Sequence, residues 1–175
     1  MAPARAPHRT RSAVVLALFF TAASADTTAA PWRVRAPGDA AARAEIVNDQ
    51  GDRLAVFRGD GDAVLAEFVT AAPSPLGATS CPTFQIDQRR PLHHFERGDR
   101  CSVEGHRARY TLARLDGRRL ESAVLYQLMN GSSVAFRFVT GNGAYHETRF
   151  ALTRSKNAML RVLGRDLDVQ PGDSE

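Results

Sequence analysis

AEIVNDQGDRLAVFRGDGDAVLAEFVT (residues 44–70) holds three short apolar runs, around Ile46–Val47, Leu54–Phe57 and Val64–Val69. Between them stand Asp49-Gln50-Gly51-Asp52 and Gly59-Asp60-Gly61-Asp62. Glycine tolerates the positive φ that tight hairpins demand, and Asp side chains brace turns locally. Runs this short, punctuated this way, predict three antiparallel strands in a meander.

The same signature continues downstream. Residues 71–82 read as a loop, and Phe84-Gln85-Ile86-Asp87 alternates as a short strand that Pro91 stops. From His106 to Leu115 the alternation places Ala108, Tyr110, Leu112 and Arg114 on one face. The period then changes: Leu120, Val124, Leu125 and Leu128 form a helical stripe that Asn130-Gly131 ends. Ser133 to Val139 alternates again, with Val134, Phe136 and Phe138 together. Gly141-Asn142-Gly143 is a hairpin turn, and Ala144 to Leu152 returns. A short last helix is expected over Ala158, Leu160 and Leu163, capped by Ser155 and ended by Gly164. The fold class expected is mainly β, an antiparallel β-sandwich or flattened barrel with two short helices.

Upstream, Arg5, Arg9 and Arg11 precede an apolar run from Ala13 to Phe20 and the small residues Ala23-Ser24-Ala25. This is the pattern of a cleavable secretory signal, too short for the roughly 20 apolar residues of a bilayer span. The expected organisation is a signal at 1–25, a leader at 26–43 in which Trp32 and Val34 could dock as a short strand, one β-rich domain at 44–169 and a flexible tail at 170–175. Removing those three arginines from 23 basic residues leaves 20 against 19 acidic, a net charge of +1. Basic and acidic residues also alternate along the chain, so the large basic field that nucleic-acid binding needs is not expected.

Two cysteines, Cys81 and Cys101, lie in the exported part. An even count in an oxidising compartment predicts a disulfide, worth about 3 kcal/mol for a loop of this length.

Pro31-Trp32-Arg33-Val34, LYQLMNGSSVAFRF (125–138) and YHETRFALTRSKNAMLRVL (145–163) together resemble the invasion-associated locus B family of exported bacterial proteins. The resemblance is best over residues 120–163 and rests on a hairpin and its flanks. It departs from the family's cysteine pattern: Arg35 stands near a place where the family often has a cysteine, and Cys81 and Cys101 are the only two. The resemblance implies a periplasmic or cell-surface β-rich protein tied to envelope or host association, and carries over no catalytic residue.

Residues with chemical potential have plainer readings. His93 and His94 are adjacent and would point to opposite faces of a strand, and with His106 and His146 they match no zinc spacing. A Cys101–His106 dyad would need a free thiol. Asp87, Glu96, Asp99 and Glu104 gather in the disulfide region without a known separation. Asp60-Gly61-Asp62 lacks the closing Glu of a calcium loop, since Ala71 stands at that place. Arg-Gly-Asp occurs at 58–60 and 97–99, where the abundance of these residues and the selection of Gly-Asp by hairpin turns explain it better than adhesion does. No catalytic, cofactor or metal residues are therefore assigned. The function expected is a non-enzymatic exported domain, periplasmic or secreted, binding a protein or envelope partner. The alternative is a small secreted hydrolase or metal-binding enzyme with dispersed site residues. No nucleic acid and no membrane span past the signal are expected.

Overall fold

Three strands, β2 (Arg43–Val47), β3 (Arg53–Arg58) and β4 (Ala63–Val69), form the meander that the 44–70 stretch encodes. The computed structural model describes residues 31–36, 41–78, 81–91 and 101–172. The signal segment, His93-His94 and the second Arg-Gly-Asp fall outside them.

The first meander turn is braced by Asn48, whose Oδ1 accepts from the Gln50 and Asp52 amides at 3.1 and 3.0 Å. The second is a short 3-10 turn at Asp60–Asp62, with Gly61 at φ 59°, a conformation that a Cβ disfavours. Strand β1 (Arg33–Arg35) adds to one edge of the meander, and β7 (Arg107–Arg114) with β6 (Cys101–Glu104) to the other. The result is a six-stranded antiparallel sheet in the order β1-β2-β3-β4-β7-β6. A second sheet, in the order β10-β9-β5, comprises β5 (Thr83–Ile86), β9 (Ser133–Val139) and β10 (Tyr145–Ala151). A third, two-stranded parallel pair joins β8 (Arg119–Glu121) to β11 (Asp168–Gln170).

The two larger sheets face each other across an aromatic core. Phe68 of β4 stacks on Phe136 of β9 at 4.6 Å between centroids, and Phe138 and Phe150 pack around it at 5.3 and 6.2 Å. Tyr110 is fully buried, edge-on to Phe84, and its hydroxyl donates to the Pro82 carbonyl at 2.7 Å. Val134, Phe136 and Phe138 share the buried face that their alternation predicts. The architecture is the expected sandwich-like, mainly β fold with two helices, and the sheets do not close into a barrel among the described residues.

Cys81 and Cys101 are bonded, with their Cα atoms 6.4 Å apart. The bond ties the start of β6 in one sheet to the chain just ahead of β5 in the other. Trp32 is buried, and its indole N–H donates to the Ala151 carbonyl at 2.9 Å, so part of the expected leader belongs to the sandwich. Val34 pairs with Ala44 but stays more than a third exposed. At the other end, β11 runs through Gln170, whose carbonyl accepts from the Ser122 amide.

Four details differ from the sequence expectation. Helix α1 (Ala123–Asn130) begins after Leu120, which lies in β8; Ser122 caps the helix by accepting from the Leu125 amide at 3.2 Å. Helix α2 (Ser155–Leu163) is entered through Arg154 at φ 66°, and Ser155 caps nothing. Its hydroxyl is buried and donates to the Leu128 carbonyl at 2.8 Å, binding α2 to α1. Along β7 the register slips, with Val64 opposite Ala113 but Leu65 opposite Thr111. Leu112 is thus a bulge residue, and the expected face of Ala108 and Tyr110 does not extend to the exposed Arg114. Gly131 does end α1, but by close approach at φ −79°: a Cβ there would meet the Gln127 carbonyl at 2.8 Å and Ile86 at 2.9 Å.

Candidate binding face

Because strand side chains alternate, the residues between the core positions of the large sheet share its outer face. The register aligns Arg33, Glu45, Ala55, Glu67, Arg109 and Ser102 in one cross-strand row. Arg35, Arg43, Phe57, Leu65 and Thr111 form the row on one side, and Val47, Arg53, Val69, Arg107 and Glu104 the row on the other. Six arginines against three glutamates leave this face at +3.

Glu67 stands at its centre, with a side chain only 2% exposed. Arg43 donates to its Oε1 at 2.7 Å, Arg109 to its Oε2 at 2.9 Å, and the Arg107 Nε lies 3.4 Å from Oε2. Burial alone would push this carboxyl up. The Arg109 hydrogen bond and the charges of Arg43, Arg107 and Arg109 outweigh it, so the group sits below the usual glutamate range. Arg43 also lies over the Phe57 ring, 4.0 Å from its centroid, and Arg109 approaches the same ring at 6.0 Å. One carboxylate and one ring thus hold three guanidiniums in place.

The pairing is unequal in charge. Three arginines meet one glutamate, while Arg35 pairs with Glu45 at 2.5 Å. Arg33 and Arg53 have no ion pair among the described residues. The Arg109 Nε is buried with no acceptor among them. Arg107 and Arg109 keep 45% and 40% of their side-chain surface open, so the cations remain reachable from solvent.

Sequence reading missed this centre. A Glu between Ala66 and Phe68, in a strand whose other interior residues are apolar, was its available signal, together with arginines two apart at 107 and 109. Joining the two signals requires knowing that β4 pairs β7, across more than thirty residues and an excursion through the second sheet.

Among the described residues, those that the sequence singled out do not assemble into a reactive site. His106 lies on the β6–β7 turn, and its carbonyl accepts from the Thr70 amide. His146, on β10, stacks on Phe138 at 5.2 Å. Asp87 is a structural acceptor, taking the Ser132 and Ser133 amides at 2.9 Å each. Glu104 sits on β6, and Glu96 and Asp99 fall outside the described residues. Arg58 and Asp62 pair with each other across the turn that holds the first Arg-Gly-Asp. Among the described residues no three His, Cys, Asp or Glu side chains gather as metal ligands would. Cys101 is in the disulfide, which removes the thiol that a Cys101–His106 dyad requires.

Two concavities adjoin among the described residues. One of about 320 Å³ lies between the β2–β3 turn and β10, lined by Asn48, Asp49, Gln50, Glu147, Thr148 and Arg149. Another of about 150 Å³ adjoins it beside Asp52, Thr70 and His146. Both are open depressions at one end of the sandwich. No helix among the described residues is long and apolar enough to cross a membrane.

No family model matches the chain, and no curated protein matches it. Among solved structures, the crystal structure of invasion associated protein B from Bartonella henselae superposes with a TM-score of 0.54 at 12% identity. The match covers 79% of this chain and 95% of that one, and at this identity the likeness is one of fold.

Proposed function

We propose that the chain is an exported, non-enzymatic β-domain that binds a partner at the bacterial envelope or host surface, with the outer face of the large sheet as its contact surface. The observation that carries this reading is the set of three arginines fixed by the buried Glu67 and still 26–45% exposed on the outer face of the sheet. Fixing long cations before binding lowers the entropy cost when a partner arrives. The disulfide suits an oxidising compartment, and the fold is one that an invasion associated protein uses. The rival reading, a small hydrolase or metal enzyme, rests on no gathered set of catalytic groups among the described residues.

Affinity capture from envelope and host-surface extracts tests the reading, comparing wild type with the double variant Arg53→Ser/Arg107→Ser. Capture that depends on these arginines supports it. Equal capture by both proteins overturns the assignment of the face. Mass spectrometry of the exported fraction should find a mature start at Asp26, and a chain beginning at Met1 and sedimenting with membrane would remove the export claim.

A further inference from the structure

We infer that the ligand of the arginine face is a linear acidic polysaccharide, its repeated carboxylate or sulfate groups spanning several strands. This deepens the proposed function and rests on it. The first argument is charge segregation. The face carries +3, whereas the chain from Asp26 onward carries +1, so the rest of the exported part is net negative. A polyanion would therefore be favoured at this face over the rest of the surface taken as a whole.

Shape supplies the second argument. The six arginines of the face are spread from β1 to β7, across five strands spaced about 4.8 Å apart, so they span roughly 20 Å. That extent exceeds one phosphate or carboxylate and suits a ligand whose charge repeats. Guanidiniums give planar, paired donors to carboxylate and sulfate oxygens, which a lysine face would not.

The third argument separates a polysaccharide from a folded protein. Protein interfaces draw most of their affinity from aromatic or aliphatic anchors seated in desolvated pockets. Here Phe57 is 5% exposed beneath Arg43, and the exposed Val47 sits at the end of β2. A sheet face with capped apolar groups and open cations offers little to a protein and much to a hydrophilic polyanion.

Calorimetry on the disulfide-intact protein with heparin, alginate, neutral dextran and single-stranded DNA of matched charge tests this. Heparin or alginate should bind while dextran does not. Affinity should fall about tenfold or more between roughly 50 and 300 mM NaCl, as attractions between exposed charges are screened. Arg53→Ser/Arg107→Ser should weaken binding by about tenfold, the scale expected when two exposed ion pairs with the ligand can no longer form. The equally charged control Arg118→Ser/Arg161→Ser, on exposed positions elsewhere, should not. Hydrogen exchange of the wild type gives a reading independent of variant folding, with protection expected on β2, β3, β4 and β7 and not on β9 or β10.

Absence of binding to both acidic polysaccharides overturns the inference, as does equal weakening in the control variant. Equal affinity for the DNA also overturns it, because the face would then read only charge. If polysaccharides fail while extract capture still depends on Arg53 and Arg107, the ligand class is wrong and the binding face stands. If capture is independent of the face, the functional reading itself fails.

Discussion

Glu67→Gln isolates the charge that organises the arginine face, because it keeps the side chain's size and one acceptor oxygen. The substitution takes the negative charge away from three guanidiniums, held at 2.7, 2.9 and 3.4 Å by a carboxylate that is 2% exposed. Breaking a fully buried pair costs about 3–5 kcal/mol. The arginines here are 26–45% exposed and regain water when freed, which brings the expectation down to about 2–3 kcal/mol. For a domain of this size that is a fall in Tm of about 5–10 °C. Glu45→Gln is the internal comparison: Glu45 pairs with Arg35, whose side chain is 62% exposed, so breaking that pair should cost under about 1 kcal/mol. Acid supplies a second axis. The folded Glu67 carboxyl lies below its unfolded value of about 4.3, so its contribution is full above that value and disappears as pH falls through the folded one. Urea melts should therefore show the gap between wild type and Glu67→Gln open at pH 7 and narrowing below about pH 4. Glu147, held low by hydrogen bonds from Arg149 and Arg137, destabilises both proteins alike in acid and cancels from the difference. A Glu67→Gln Tm within about 1 °C of wild type at neutral pH, or a gap that widens in acid, would refute the reasoning.

The core and its covalent tie give three further expectations. Phe136 touches Phe68, Phe84, Tyr110 and Phe150, so Phe136→Ala should cost about 3–5 kcal/mol in a denaturant melt. Phe138, bounded by Phe68 and the less buried His146, should cost less; the reverse order would contradict this aromatic packing. Cys101→Ser should lower stability by about 3 kcal/mol, and thiol titration of unreduced, denatured wild type should find no reactive cysteine. Burial raises Tyr110 well above the ordinary tyrosine range, so in an ultraviolet pH titration its phenol should ionise only as the protein unfolds.

What the sequence disclosed and what it concealed divide along the range of the interactions. The meander, the Phe84–Ile86 strand, the β9–β10 hairpin and the stop at Gly131 depend on neighbours within a few residues, where alternation and turn chemistry act. The disulfide was legible for a different reason: two cysteines leave one intramolecular pairing. Leu120 misled because it sits four residues before Val124, in step with the helix stripe. Its strand role comes from pairing with Val169, almost fifty residues on, to which local periodicity is blind. Ser155 misled in a related way, since its position suits a cap but its hydroxyl donates to a carbonyl on another helix.

The arginine face was hidden by that same range effect. Each of its charged residues is ordinary when read locally, an arginine or glutamate in a short strand. Only the order β2-β3-β4-β7 brings Arg43, Glu67, Arg107 and Arg109 together and turns scattered charges into a centre with two positive charges in excess. Local sequence thus prescribes which face of each strand is charged, and sheet order decides whether those charges cancel. Here they do not cancel, because β7, which brings two of the arginines, pairs with the strand that carries the buried glutamate, and that strand supplies only one.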